Sequence, residues 1–201
     1  MDDGRRTIDG LTDPIQLDIR SGFPAAEAAT LSAGDPVELT GCVLTLRDAS
    51  AARLAQALER GDPLPVSLDG QIMYAVGPSP AKPGQIIGSA GPTTTERMGR
   101  YLPALFSAGV RAVIGKGELH GRDMNAFTER GAIYFAAIGG LGALLAKQIA
   151  AATVIGYEDL GPEALYALDL VAFPAVVVID RAGRNFHETA RARWRIEGRR
   201  T

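Results

Sequence analysis

Strand-like and helix-like rhythms take turns along the chain. Residues 37–45 form an apolar run of strand length, and after Leu46-Arg47-Asp48 the apolar positions Ala51, Leu54, Ala55 and Leu58 repeat at helical spacing. Asp48 suits the N-cap of that helix and Gly61 its stop. Residues 63–70 and 71–76 suggest short strands, and 77–84, with three prolines, a loop. Residues 86–90 read as a strand leading into Met98, Tyr101, Leu102, Leu105 and Phe106, again at helical spacing. Next come a strand at 111–114, a helix over Met124 and Phe127 capped by Asp123 and ended by Gly131, and a strand at 133–138. Gly139-Gly140 opens a small-residue helix with Leu141, Leu144, Leu145 and Ile149 on its apolar side. Residues 153–157, 168–173 and 175–179 complete a strand-rich final third, closed by a turn at Asp180-Arg181-Ala182-Gly183. Ahead of all these, Leu17 and Ile19 suggest a short strand and Ala33-Gly34-Asp35-Pro36 a turn. The alternation predicts an α/β fold, and the extra strands argue against a simple doubly wound sheet.

The ends of the chain break this rhythm. Residues 1–13 are polar and aperiodic, which reads as a flexible arm. Residues 190–201 carry Arg191, Arg193, Arg195, Arg199 and Arg200 and read as a basic tail, helical or disordered. Residues 14–189 between them suit one domain with a sizeable core.

The stretch Gly91-Pro92-Thr93-Thr94-Thr95-Glu96-Arg97-Met98 organises the rest. Thr93 with Glu96 three positions on is a capping-box pattern, which makes Thr93 the expected N-cap. Arg97 then falls about 40° round from Thr93 on a helix of 3.6 residues per turn. A hydroxyl, free backbone N–H groups and a guanidinium would meet at one positive helix end, which is an anion site in outline. An ordinary capped helix with a solvated arginine fits the same residues.

Composition narrows the chemistry. A net charge of −2 gives no electrostatic reason to expect nucleic acid or a membrane surface as partner. No apolar run is long enough to span a bilayer, and Met1-Asp2-Asp3-Gly4-Arg5-Arg6 lacks the apolar core of a signal peptide, so the cytoplasm is the expected compartment. Cys42 is the one cysteine, which excludes an intrachain disulfide and an iron–sulfur cluster held by this chain's own thiolates. Its strand-like setting predicts a buried small hydrophobe.

Three cations recur in one setting. Arg47, Arg97 and Lys116 each sit where a predicted strand gives way to a helix or a glycine turn, the edge at which α/β folds usually bind ligands. Two arginines, a lysine and capping N–H groups suit a small molecule with two carboxylates, because arginine grips a carboxylate through two parallel hydrogen bonds. Solvated charges at loop edges are the plainer alternative.

These residues carry a resemblance. Arg47-Asp48, then Gly91-Pro92-Thr93-Thr94 with Arg97-Met98, then Gly115-Lys116-Gly117 resemble the β subunit of iron-dependent hydro-lyases. That family comprises class I fumarases and L-tartrate dehydratase. Tyr134 with Gly139-Gly140, Gly161-Pro162-Glu163-Ala164-Leu165, and Phe173-Pro174 with Asp180-Arg181-Ala182-Gly183 extend it to nearly the whole chain. The resemblance implies a swivelling β/β/α domain, mixed sheets with flanking helices, closing over a [4Fe–4S] cluster held by a separate α subunit or amino-terminal domain. It implies a hetero-oligomer, or a homodimer when the chain is alone. It implies reversible hydration of a dicarboxylate of the fumarate/malate or tartrate type. Carried over by position, Arg47, Arg97 and Lys116 would hold substrate carboxylates beside Thr93 and Thr94, and Thr93 would transfer a proton. A threonine is a poor base by itself, so its alkoxide would need the cationic surroundings this chain supplies.

One departure stands out. The family pattern usually places a histidine three residues beyond the arginine-aspartate pair, where this chain has Ala51. A different substrate, a compensating group or a non-catalytic dicarboxylate-binding or assembly subunit would each fit the loss. His120 lies four residues beyond Lys116 and reads as a loop histidine. With Glu118 and Asp123 it makes a weak metal pattern. Tyr134 and Phe135 read as core, and 139–143 as close packing rather than a dinucleotide fingerprint.

Overall fold

The computed structural model describes residues 7–8 and 11–195. Arg199 and Arg200 of the basic tail, and most of the amino-terminal arm, lie outside the described residues. Within the arm, β1 (Thr7–Ile8) pairs antiparallel with β2 (Leu11–Thr12). The body runs β3 (Ile15–Asp18), α1 (Ala25–Ala28), β4 (Pro36–Thr45), α2 (Asp48–Arg60), β5 (Ile72–Tyr74), a 3-10 turn Thr95–Tyr101, α3 (Leu102–Ser107), β6 (Ala112–Gly115) and α4 (Gly121–Arg130). It continues through β7 (Ile133–Ala136), α5 (Gly142–Leu145), β8 (Ile149–Gly156), β9 (Leu165–Ile179) and α6 (Phe186–Trp194). Among the described residues no helix is long and apolar enough to cross a membrane.

Strands β4, β5, β6 and β7 lie side by side and parallel, joined by α2, by α3 and by α4. β9 runs antiparallel to both β7 and β4, so the pairing closes into a ring. β3 and β8 extend the layer on the far side. Because side chains alternate across a strand, this arrangement makes two cores. Ile72, Tyr74, Ala112, Ile114, Ile133 and Phe135 face the strand core, with Leu39, Leu168, Phe173 and Val177 from the long strands. Met73, Val113 and Tyr134, the residues between them, face Leu54, Met98, Leu105, Phe106 and Phe127 beneath α2, α3 and α4. Strands buried on both faces are apolar throughout, as expected of parallel strands covered on each side. The observed architecture is therefore mixed α/β, strands around one core and helices over a second.

Local signals were obeyed where a strand or helix had room. α2 ends where expected, with Gly61 left-handed at φ 71°, and α4 ends at Gly131 with φ 58°. Arg47 rather than Asp48 holds the N-cap position of α2, and His120 that of α4, with Asp123 inside its first turn. Other expectations fail for identifiable reasons. Residues 86–90 form no strand. They fold back on the proline loop, with the Ser79 N–H donating to Ser89 O (3.0 Å) and Tyr74 Oη donating to Ala90 O (2.6 Å). Residues 63–70 form no strand either, and 141–149 give only the single turn α5, a 3-10 turn and the start of β8. The expected strands 168–173 and 175–179 are one strand. Pro174 does not interrupt it, because it falls between Leu170, the last partner of β8, and Val176, the first partner of β7.

Cys42 is exposed rather than buried. Gly41, at φ 135°, forms an irregularity in the β4–β9 pairing beside the Ile19–Arg20 backbone, and Cys42 emerges next to it on the outer face.

The turn after β9 is tied by Asp180, whose buried carboxylate accepts from the N–H groups of Ala33 (3.1 Å), Ala182 (2.9 Å) and Arg184 (3.1 Å) and from Arg184 Nε (2.6 Å). Burial alone would raise its pKa, but these bonds outweigh burial and hold it below the ordinary carboxylate value. A depressed folded-state pKa gives stability that is present above the unfolded value of about 3.9 and is lost as pH falls through the folded value. Asp180→Asn is therefore expected to cost about 2 kcal/mol at neutral pH. The gap in urea midpoint between variant and wild type should close below about pH 4. A gap that persists at the lowest pH would contradict this.

Candidate active site

The carboxyl ends of β4, β5, β6 and β7 meet at one edge. Arg47 follows β4, Gly77 follows β5, Lys116 follows β6 and Gly139 follows β7. Across this edge runs the segment Pro92-Thr93-Thr94, laid between strand ends by backbone hydrogen bonds. The Thr93 N–H donates to Ala75 O (2.7 Å), Lys116 N–H to Thr93 O (3.3 Å), and Thr95 N–H to Lys116 O (3.1 Å). Thr94 pairs with Lys116 as a parallel bridge, and Pro92 with Val76. Beside this edge lies an open cleft of about 540 Å³ bordered by Gly77, Gly91, Pro92 and Gly140, whose lining does not include Arg47, Thr93, Thr94, Arg97 or Lys116.

Thr93 is therefore not an N-cap. The 3-10 turn starts at Thr95, no side chain caps it, and Glu96 is exposed, so the capping box does not form. Thr95 is drawn inward instead, where its hydroxyl meets Tyr134 Oη at 3.1 Å. This leaves the Thr93 side chain half-buried at the edge with no hydrogen bond among the described residues.

One carboxylate, Asp48, lies between the two arginines. Arg97 Nη2 lies 3.0 Å from Asp48 Oδ2, and Arg47 Nε lies 4.0 Å from the same oxygen. Arg47 Nη2 donates to Glu163 Oε1 (3.1 Å), while the other oxygen of Glu163 accepts the Ala49 N–H (2.9 Å) in the first turn of α2. Ser50 Oγ accepts the Arg47 N–H (3.0 Å) and fixes the backbone from which the guanidinium extends. The side chain of Arg47 lies over Gly77, where an added Cβ would come within 3.2 Å of its Cδ. Gly139 makes room for Lys116 in the same way, also at 3.2 Å from Cδ. Arg97 remains 56% exposed, so its guanidinium keeps donors free for an incoming anion.

Arg47, Thr93, Thr94, Arg97 and Lys116 thus share one edge. Other candidates fall elsewhere. Ala51 is fully buried in the helical core with Leu54 and Met98. His120 lies on the surface, 3.9 Å from Glu118, whose carboxylate pairs with Arg191 of α6. The Arg191 guanidinium holds the Glu118 carboxyl below the usual carboxylate range. Among the described residues no group of three or more histidine, cysteine or acidic side chains could hold a metal ion.

Residues that sequence reasoning undervalued are Glu163, Asp48 and Tyr134. Glu163 is 116 positions from Arg47, and no local pattern links them. Tyr134 is core, as expected, yet its hydroxyl also donates to Gly117 O (3.1 Å), tying the Lys116 turn to the threonine segment. Burial raises its pKa well above the usual phenol value, so it stays protonated. Tyr134→Phe keeps the ring and loses both bonds, leaving Thr95 Oγ1 and Gly117 O unpaired. We expect a loss of about 1–2 kcal/mol in urea unfolding. An unchanged midpoint would mean the hydroxyl is not a tie.

The chain matches the Fumarase C-terminus family over residues 5–190. It belongs to that family. It is 32% identical over 164 residues to a putative L(+)-tartrate dehydratase subunit beta of Methanocaldococcus jannaschii, covering 79% of this chain and 84% of that protein. It is 36% identical over 163 residues to a putative class I fumarate hydratase of Geobacillus stearothermophilus, covering 79% and 31%. Against fumarate hydratase 2 of Leishmania major the identity is 32% over 156 residues, 77% of this chain and 28% of that enzyme. The chain thus spans between 27% and 31% of the length of these fumarate hydratases.

Proposed function

We propose that this chain is the substrate-gripping part of a hydro-lyase that adds water to, or removes it from, a small dicarboxylate of the fumarate/malate or tartrate type. The observation that carries the proposal is the gathering of Arg47, Arg97, Lys116 and a hydrogen-bond-free Thr93 side chain at the carboxyl edge of four parallel strands. The names of its relatives, fumarate hydratase and tartrate dehydratase subunit beta, support the reaction class.

Arginine forks would take one carboxylate of the substrate and Lys116 would neutralise the other. Thr93, held as its alkoxide by the surrounding cations, would take the proton from the carbon beside the gripped carboxylate and return to the neutral hydroxyl. The charge released by that step spreads onto the carboxylate oxygens, where the guanidinium groups stabilise it. Asp48 and Glu163 keep the arginines from turning away. The hydroxyl leaves from the adjacent carbon.

A [4Fe–4S] cluster does not fit the residues of this chain. Cys42 is its one cysteine, and it sits on the outer face of β4 rather than at the cation edge. The cluster, and the surface that shuts the site from water, would belong to a partner subunit. The purified chain is accordingly expected to be colourless and without hydratase activity after anaerobic reconstitution. Co-expression with a cysteine-bearing partner should restore turnover of fumarate, L-malate or tartrate. Iron–sulfur absorbance with turnover from the single chain would overthrow the two-subunit reading. A coloured, well-assembled complex without turnover would favour a non-catalytic role.

A further inference from the structure

The edge opposite the cation site holds a second concentration of positive charge. Arg111 precedes β6, Arg130 closes α4 ahead of β7, and Arg181 follows β9, which runs antiparallel to its neighbours. Three segments far apart in sequence therefore deliver a guanidinium to the same end of the sheet. They line one hollow of about 320 Å³ together with Phe23 and Asp69. That volume lies at the lower end of the range for small-molecule sites. β6 and β7 are four residues long, which puts this hollow roughly 13 Å from the Arg47–Lys116 edge.

The charges in the hollow are not balanced from within. Asp69 is its one carboxylate, and its Oδ1 lies 3.7 Å from Arg111 Nη2, beyond hydrogen-bonding distance. Arg181 makes a single long bond, Nη1 to Ala25 O at 3.4 Å. Arg130 has no ion-pair partner among the described residues. The carbonyl end of α4 attracts a cation, and Arg181 Nε lies against Gly131 there. One cation satisfies that end, so it does not account for three. Three guanidinium groups around one concavity repel each other unless an anion sits among them.

We infer that this hollow is a binding site for a small phosphate-bearing anion, separate from the candidate active site. Three arginines approaching from different segments match a tetrahedral group, which offers an oxygen to each, better than a planar carboxylate with two oxygens. The half-buried ring of Phe23 supplies an apolar wall for the remainder of the ligand. This site does not depend on the hydro-lyase reading, because none of its residues lies at the other edge.

Calorimetric titration of the full chain with pyrophosphate at fixed ionic strength tests the inference. Saturable one-to-one binding is expected, weakened about tenfold or more by Arg130→Gln or Arg181→Gln, since each removes one charge-assisted contact. These side chains are exposed, so thermal melts of the variants should match wild type. Arg97→Met should leave pyrophosphate affinity unchanged, and fumarate should not displace the probe. Absence of saturation at roughly millimolar pyrophosphate would overturn the site. So would binding that survives both glutamine variants and disappears in Arg97→Met, which would move the anion to the other edge.

Discussion

Thr93→Ala is expected to lower turnover of the assembled enzyme by two to four orders of magnitude, on the order of what a positioned proton-transfer group supplies, while hardly disturbing the fold. The two halves of this expectation come from different observations. The hydroxyl of Thr93 caps no helix and accepts no hydrogen bond among the described residues, so deleting it should cost no more than about 0.5 kcal/mol. Had Thr93 been the N-cap that its spacing from Glu96 suggests, the cost would be nearer 1 kcal/mol. The backbone of Thr93 is a different matter. It bridges Ala75 and Lys116, and alanine preserves both bonds. Loss of turnover with intact stability and intact dicarboxylate binding is thus the signature of a proton-transfer group. Thr93→Ser, which keeps the oxygen, should recover part of the activity. Near wild-type turnover in Thr93→Ala would remove this residue from the mechanism.

Arg97→Met and Lys116→Met should each weaken dicarboxylate binding by about ten- to hundredfold, the equivalent of one charge-assisted contact of roughly 1.5–3 kcal/mol. Arg97→Lys keeps the charge and loses the planar fork, so it should fall between wild type and Arg97→Met. Arg97 is more than half exposed, so its ion pair with Asp48 adds little to stability and the methionine variant should fold. Lys116 is held by its stem over Gly139 and by backbone bonds to the threonine segment, neither of which needs the ammonium group. If both cations grip one ligand, the double variant should lose less than the sum of the single losses. Strict additivity would mean that the two act on separate anions.

Much of the scaffold was legible because its signals were local. α2 showed its apolar stripe and its terminal glycine, and β6 and β7 showed short apolar runs between glycine turns. The placement of Arg47 and Lys116 at one edge followed from a general property of parallel strands, since both lie just past a strand end. What could not be read depends on pairing between distant segments. β9 appears as two runs divided by Pro174, and only the positions of β7 and β8 along its other edge show why the proline is tolerated. Residues 86–90 look like a strand, but the ring that β9 closes against β4 takes the pairing edges such a strand would need. The threonine run misleads more subtly. Its spacing matches a capping box, yet the bond from Thr95 to Tyr134 draws the chain inward and the helix starts one residue later, at Thr95. Glu163 lies in a stretch that carries the resemblance, but it reaches Arg47 across more than a hundred residues, and no local spacing links the two.

The departure at Ala51 takes on a different meaning once its surroundings are known. A histidine missing from an open edge would leave a gap in the chemistry. Ala51 lies on the buried face of α2 with Leu54, against Met98, so a side chain at this position starts from the helical core rather than from the open edge.

The most direct measurement is a calorimetric titration of the assembled complex with fumarate, L-malate and tartrate, run in parallel on wild type, Arg97→Met and Lys116→Met with thermal melts of each. The expected result is one dicarboxylate bound per chain, with affinity falling about tenfold or more in each variant while the melts stay close to wild type. Unchanged affinity and unchanged turnover in both variants would contradict it, and would leave Arg97 and Lys116 as solvated charges at the end of a sheet.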